Sequence, residues 1–298
     1  MHKASRSNAL VFFLTLAAAL PALGQAGSMQ SGPFDGMSTD IVVPAAVRTD
    51  GKNGAFFQTD LWVRCQTVPV AATLYFHAAD AASSAPAVTV PVTLTQPVTF
   101  FPDVVSATFG LATGVGSVRI SAGAPVSAVD RVYNNAGGGA YGFAFMGMPS
   151  TMSLRSMPMM GGGFGMDDFA MYMLGLLPEP GARVNVRVVN TTPDTVNGVV
   201  EILDADGSAA AGTGTKSYPF QIAGYSSHQF NDVLLNVHSR FPAGDTGLQI
   251  RVRLNQGSAG MVMSYAVVND NTNNDGYVVM GNMMNGGRGM GMSGGMMP

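Results

Sequence analysis

Two stretches of strictly alternating side chains constrain the fold of this chain more than any other feature. In residues 57–65, every second side chain, including Leu61 and Val63, suits a protein core, while those between are polar or amphipathic. Residues 183–190 repeat the pattern, with valines at 184, 186 and 188 on one side. A period of two is what a β-strand buried on one face requires. We therefore predict an all-β fold.

The two stretches open two copies of a longer repeat. Residues 54–80 align with residues 181–206, and further matching segments follow in the same order until Met146-Gly147 and Met280-Gly281 close the copies. Each copy has many short alternating segments separated by Asp, Asn and Gly turns, which is typical of a β-sandwich. We predict two tandem β-sandwich domains produced by duplication.

Each copy also predicts one short helix. Asp103 and Asp232 each follow a predicted strand and can cap a helix, over residues 104–109 in the first copy and 233–241 in the second. A carboxylate that recurs at the same place in both copies indicates an architectural role and not a catalytic one.

The first copy contains the segments Ile41-Val-Val-Pro-Ala-Ala-Val47, Gly54-Ala-Phe-Phe-Gln-Thr-Asp-Leu61, Gly116-Ser-Val-Arg-Ile120, Arg131-Val-Tyr-Asn134 and Gly142. In these segments the chain resembles a group of uncharacterised exported bacterial proteins with tandem immunoglobulin-like β-sandwich repeats. The resemblance implies two immunoglobulin-like domains and brings no catalytic or binding residue with it. It departs at Cys65, where Asn is expected and where the second copy keeps Asn190.

The N-terminus predicts export. Lys3 and Arg6 precede an apolar run over residues 9–20, and small residues at Ala22 and Gly24 fit a signal-peptidase site. The alternative is an uncleaved anchor, but the apolar run is short for a membrane span. No later apolar run has membrane length. We predict a secreted, periplasmic or cell-surface protein with no transmembrane segment after cleavage.

Charge and cysteine content exclude other classes. Without residues 1–24 the chain has 13 basic and 18 acidic residues, a formal charge of about −5, so no nucleic-acid partner is predicted. Cys65 is the single cysteine, so no intramolecular disulfide can form. Its place on the apolar side of the first stretch predicts a buried structural thiol.

The predicted organisation has five segments. They are a signal peptide at 1–24, a first sandwich at 38–147, a Met/Gly-rich linker at 148–170, a second sandwich at 171–281 and a Met/Gly-rich tail at 282–298.

Methionine is concentrated after each domain, with sixteen of the 21 methionines in residues 146–173 and 280–298. Thioethers suit Cu(I), so one interpretation is soft-metal binding with copper as the ion. The other is an adhesive linker and tail that need no cofactor, and the absence of His and Cys from both segments favours it. The candidate metal ligands are Met157, Met159, Met160, Met283, Met284, Met290, Met292, Met296 and Met297.

No catalytic site is predicted. Ser226-Ser227-His228 is adjacent in sequence, unlike a catalytic triad, and neither a nucleophile elbow nor a phosphate-binding loop is present. His77 and His228 are expected at the surface. Trp62 and Arg64 are the candidate ligand-binding residues, because an outward ring beside a cation suits sugar or peptide contacts. The alternative for Trp62 is packing against the second domain or the linker.

Together these features predict a secreted, non-enzymatic interaction or structural protein, acting in adhesion or envelope scaffolding. Its partners would be proteins or polymers of the cell exterior. The alternative is extracytoplasmic copper binding through the Met-rich segments, and a weaker one is carbohydrate binding at Trp62.

Overall fold

The computed structural model describes residues 36–134, 141–155, 169–174, 176, 181–238, 240, 248–270 and 276–285. The described residues from Gly36 onward belong to one compact unit. The predicted signal peptide lies outside the described residues.

The all-β prediction is confirmed, since antiparallel strands dominate the described chain. In the first half of the molecule, residues 36–149, the described part of the chain forms eight strands. They are β1 (Ser38–Asp50), β2 (Phe56–Cys65), β3 (Val70–Ala78), β4 (Val88–Leu94), β5 (Val98–Phe101), β6 (Gly114–Asn134), β7 (Tyr141–Met146) and β8 (Met148–Pro149).

In the second half, residues 150–285, the residues that the structure describes form a further twelve strands. They are β9 (Leu154–Arg155), β10 (Phe169–Leu174), β11 (Ala182–Asn190), β12 (Val196–Leu203), β13 (Ala211–Gly212), β14 (Ser217–Ile222), β15 (Ser227–Phe230), β16 (Val237–His238), β17 (Gln249–Leu254), β18 (Met261–Asp270), β19 (Gly276–Met280) and β20 (Asn282–Asn285).

The same strand order occurs in both halves. One layer runs β4-β3-β6-β1-β8 in the first half and β14-β12-β17-β10-β20 in the second. The facing layer runs β5-β2-β6-β7 and β15-β11-β18-β19. The sandwich-like fold is thereby confirmed. The order differs from the ABED and CFG sheets of an immunoglobulin domain, so the structural likeness to that class lies in the layering.

The first half departs from the predicted strands at residues 122–125. The sequence predicts two strands, 116–121 and 125–134, but β6 is continuous because it leaves one layer and enters the other without a turn. Its first part pairs with β1 and β3, and its second part pairs with β2 and β7. A single long strand therefore joins the two layers that separate strands, β17 and β18, build in the second half.

The two predicted helices have different outcomes. Residues Val104–Thr108 form one turn of π-helix, close to the predicted 104–109, but Asp103 has a left-handed φ of 38° and its side chain does not cap it. Residues 233–236 form turns, so the described part of the second predicted helix is not helical. The backbone N–H of Asp103 donates to Asp60, and that of Asp232 donates to Asn185, so the corner is the same in both copies.

Short strands follow the Met-Gly pair that closes each half. β8 pairs with β1, and β20 pairs with β10, so each adds an edge strand to the corresponding layer. β9 pairs with the start of β18 in the second half. Parts of the predicted linker and tail are therefore strands. The glycine runs at 161–163 and 286–287 lie outside the described residues.

The hydrophobic core of the second half extends into the first half. The core of the second half includes Phe145, Val132, Val42 and Ala45 from the first half, and the Phe145 and Tyr265 ring centroids are 4.7 Å apart. A separate core fills the first half and includes Cys65, which is free and buried as predicted. Because apolar burial is the dominant stabilising term, the shared core ties the stability of each half to the other.

Polar contacts connect the halves at a second place. The Arg119 side chain bonds to the Asp40 carboxylate at 2.8 and 3.1 Å and lies 4.5 Å from the ring centroid of Tyr225. His77 packs beside the same tyrosine and is buried, so its predicted surface position is wrong. Burial, followed by the nearby charge of Arg119, lowers the pKa of His77 to about 4. His77 is therefore a neutral packing residue at pH 7.

Candidate functional site

The first alternating stretch forms β2 with the predicted faces. Leu61, Val63 and Cys65 are buried in the first core, while Arg64 is exposed and Trp62 is half-buried on the other side. Both candidate ligand-binding residues are therefore on the outer face of their layer. They lie near its centre, because β2 pairs with β5 on one side and with β6 on the other.

Four apolar side chains form a row across this outer face. The strand register places Phe100 of β5 opposite Trp62, Val129 of β6 on the other side of Trp62, and Met146 of β7 opposite Val129. Phe100 is 48% exposed, Val129 39% and Met146 69%. Neighbouring strands are about 4.8 Å apart, so the row spans roughly 14 Å. We call these four residues the outer row.

The rings in the outer row are stacked on each other. The Trp62 and Phe100 centroids are 4.8 Å apart, and their planes differ by 25°. This cross-strand stacking explains why Trp62 is only half exposed. The ring that stacks on Trp62 belongs to its own layer and not to the second domain or the linker, which were the predicted alternatives. One face of the indole is therefore covered, and the row presents ring edges and aliphatic ends.

Charged and polar groups flank the outer row. In the neighbouring register row, Asp60 lies opposite Arg131, whose guanidinium is 5.0 Å from the Tyr133 ring centroid. Arg64 and Ser127 form a polar pair on the other side. Burial, and then the nearby charge of Asp60, raise the pKa of Tyr133. An apolar centre with a polar surround is the usual composition of a protein interface.

Asp103 lies beside this surface in a structural role. Its carboxylate accepts hydrogen bonds from Arg48 and Gln58, and the Arg48 contact is an ion pair. The prediction that its carboxylate caps the helix was wrong, because its partners come from β1 and β2 instead. These contacts anchor the π-helical turn to β1 and β2.

The second half places different residues at the equivalent positions. Its register aligns Gln229, Arg187, Tyr265 and Met280 as the counterpart of the outer row. Arg187 and Tyr265 are buried, because this face packs against the first half at Phe145. The sequence predicts an outward face at Arg187 and Val189 with no aromatic, and the structure corrects this.

Sequence reasoning identified Trp62 and missed its partners. Phe100 follows an alternating pattern in which Val98 and Phe100 are exposed, but β5 has only four residues and the pattern is weak at that length. Met146 was grouped with the Met-rich segments by composition, although it ends a strand. The pairing of four strands that are distant in sequence assembles the row.

The candidate methionine ligands are only partly within the described residues. Met283 lies on β20 and is 55% exposed, and Met284 follows it on the same strand. Met171 and Met173 are buried in the core and cannot reach a solvent ion. Among the described residues, no three His, Cys, Asp or Glu side chains are grouped to hold a metal. The other candidate ligands, Met157, Met159, Met160, Met290, Met292, Met296 and Met297, lie outside the described residues.

Within the described chain, no helix has the length and apolarity needed to cross a membrane. No protein-family model matches the sequence, and no curated protein matches it. The crystal structure of a "putative secreted protein" from Parabacteroides distasonis is similar over 87% of this chain and 84% of that chain, at 10% identity and a TM-score of 0.21. A similarity at this level carries no argument about fold or function.

Proposed function

We propose that this protein is an exported, non-enzymatic interaction protein that binds a partner protein at the cell exterior through the outer row. The observation that carries the proposal is the exposed line of Phe100, Trp62, Val129 and Met146 across four paired strands. Large apolar side chains that are adjacent and exposed on a folded surface mark interaction sites more often than isolated ones do.

The composition of the surface supports a protein partner. Tryptophan and arginine are the residue types that contribute most to protein interfaces, and Trp62 and Arg64 stand two residues apart on one face. Methionine at the end of the row adapts to irregular surfaces because it is unbranched. The predicted signal peptide and the Met/Gly-rich segments are consistent with a role in adhesion or envelope scaffolding.

The stacking geometry disfavours the carbohydrate alternative. A sugar ring is bound by lying flat on an exposed aromatic face, whereas one face of Trp62 is covered by Phe100. The row offers edges and aliphatic groups, which suit the side chains of another protein.

The test compares envelope binding of the mature protein with that of a Trp62→Ala, Phe100→Ala variant. We expect the variant to lose at least about tenfold in affinity, since central aromatic residues each contribute about 2 kcal/mol or more at interfaces. The matched control is Leu235→Ala, a 60% exposed apolar residue in the second half. Protease treatment of the envelopes should abolish binding, and glycosidase treatment should not. Unchanged binding by the double variant refutes the proposal.

Copper binding remains the alternative proposal. Its structural support is the exposure of Met283 on an edge strand at the start of the Met-rich tail. Soft thioethers on an exported chain suit Cu(I). After Met283 and Met284 the tail carries four further candidate ligands, Met290, Met292, Met296 and Met297.

A further inference from the structure

A cavity of about 220 Å³ lies between the two halves of the molecule. Aromatic rings of Phe57, Phe143 and Phe145 line it from the first half, and Arg187, Tyr265 and Asn269 line it from the second. The cavity does not involve the outer row. It lies on the face of β11 and β18 that corresponds to that row in the second half.

Arg187 is the unusual member of this lining. It is only 5% exposed, and its Nη2 donates to Gln229 Oε1 at 2.9 Å. Its Nε and Nη1 have no partner at normal hydrogen-bond geometry within the described chain, although the guanidinium also interacts with the Tyr265 hydroxyl. A buried guanidinium is strongly destabilising when its donors are unsatisfied, so such groups are normally paired with an anion or with acceptor oxygens.

The charges around the cavity favour an anion. Arg183 also lines it, so the lining holds two guanidinium groups and one carboxylate, that of Asp50. The buried Asp130 lies near the lining residue Tyr265, but burial raises the pKa of Asp130 and favours its neutral form. Asp50 is at the exposed end of β1, where solvent screens its charge. The amide side chains of Asn185 and Gln229 complete the polar part of the lining.

The size and walls of the cavity define the rest of the ligand. A volume of 220 Å³ holds roughly seven waters at about 30 Å³ each. This volume is below the range of about 300–1,000 Å³ that is usual for pockets that bind drug-sized ligands. Three phenylalanine rings and a tyrosine supply apolar contact. Arginine is the preferred partner of a planar carboxylate, because its N–H groups match the two oxygens.

We infer that this cavity is a binding site for a small monocarboxylate with a compact apolar or aromatic body. The carboxylate accepts hydrogen bonds from Arg187, and the apolar body packs among Phe57, Phe143 and Phe145. Because the ligand contacts both halves, its binding strengthens the contact between them.

Benzoate is the probe, and benzamide is its neutral counterpart of nearly the same shape. Binding to the mature protein is measured by calorimetry, and the melting temperature is measured with each compound, because a ligand bound only by the folded state raises that temperature. We expect benzoate to bind and raise the melting temperature, and benzamide to bind about tenfold or more weakly, since a charge-assisted hydrogen bond is lost.

Two variants separate the roles of charge and space. Arg187→Gln should weaken benzoate binding by about tenfold to a hundredfold. Val267→Phe keeps Arg187 but places a larger side chain into the cavity lining, and it should abolish binding. Arg155→Gln, which changes an exposed arginine of β9 outside the cavity, should leave binding unchanged.

The inference is overturned if benzoate and benzamide bind equally, or if neither binds. It is also overturned if phosphate raises the melting temperature as much as benzoate does, since that result indicates a general anion effect. The comparison of benzoate with benzamide uses the wild-type protein, so the test remains decisive if Arg187→Gln fails to fold.

Discussion

Truncation of Phe145 tests whether the two halves form one cooperative unit. Phe145 belongs to the first half by sequence but packs in the core of the second, with Tyr265 at 4.7 Å. Removing the ring loses about 2 kcal/mol of transfer free energy and about 1 kcal/mol of aromatic pairing, and the void left behind adds to both. We expect Phe145→Ala to lower the free energy of unfolding by about 4 kcal/mol.

The assay is urea unfolding followed by two signals. Trp62 is the single tryptophan and lies in the first half, so its fluorescence reports that half, whereas far-UV circular dichroism reports both. The two transitions should coincide in the wild type and in Phe145→Ala, and both should shift together. Leu235→Ala, at an exposed position, should change the free energy by less than about 0.5 kcal/mol.

Two outcomes would contradict this reasoning. A loss below about 1 kcal/mol would show that the Phe145 ring is not packed in a shared core. Separate fluorescence and circular-dichroism transitions in the variant would show that the halves unfold independently.

Two further predictions concern pH and copper. Burial holds the pKa of Asp130 in the folded protein well above its usual 3.8. Below about pH 3.8 the carboxyl is protonated in both the folded and the unfolded state. As the pH rises from there towards the raised pKa, the unfolded state ionises first, so the folded protein loses stability. Asp130→Asn should therefore gain stability relative to wild type between pH 4 and pH 8 in urea unfolding, and a pH-independent difference would contradict this. If the Met-rich segments bind copper, an anaerobic Cu(I) titration against a competing chelator should show binding that is lost when residues 282–298 are removed and the linker methionines are replaced by leucine. Equal affinity of both proteins would exclude these methionines as ligands.

Local patterns in the sequence were sufficient for the faces of single strands. The alternation in residues 57–65 predicted the buried side of β2, because one face of that strand meets a core and the other meets solvent. The same logic failed at Arg187, where β11 is covered on both faces. Alternation identifies the polar side of a strand, but it cannot show that a distant part of the chain packs on that side.

Composition was a poor guide to the ends of the two halves. Met and Gly richness predicted a linker after Gly147 and a tail after Gly281, yet Met148–Pro149 and Asn282–Asn285 are edge strands. Their partners, β1 and β10, supply the hydrogen bonds that local propensity does not provide. Edge pairing depends on what lies beside the segment in space, which composition does not encode.

The outer row and its counterpart show that the two halves use equivalent strand positions differently. The counterpart, with Arg187 and Gln229 at its centre, is buried against the first half in a contact between unlike surfaces. If the same contact formed between two molecules, it would join two different surfaces. Without a symmetry that closes the assembly, such contacts would produce open chains of molecules. The first half carries Trp62 and Phe100 at these positions, so it lacks the guanidinium and amide that line the contact within the molecule. This substitution makes the outer row a poor match for the surface that covers Arg187, and it favours a partner other than another copy of this chain.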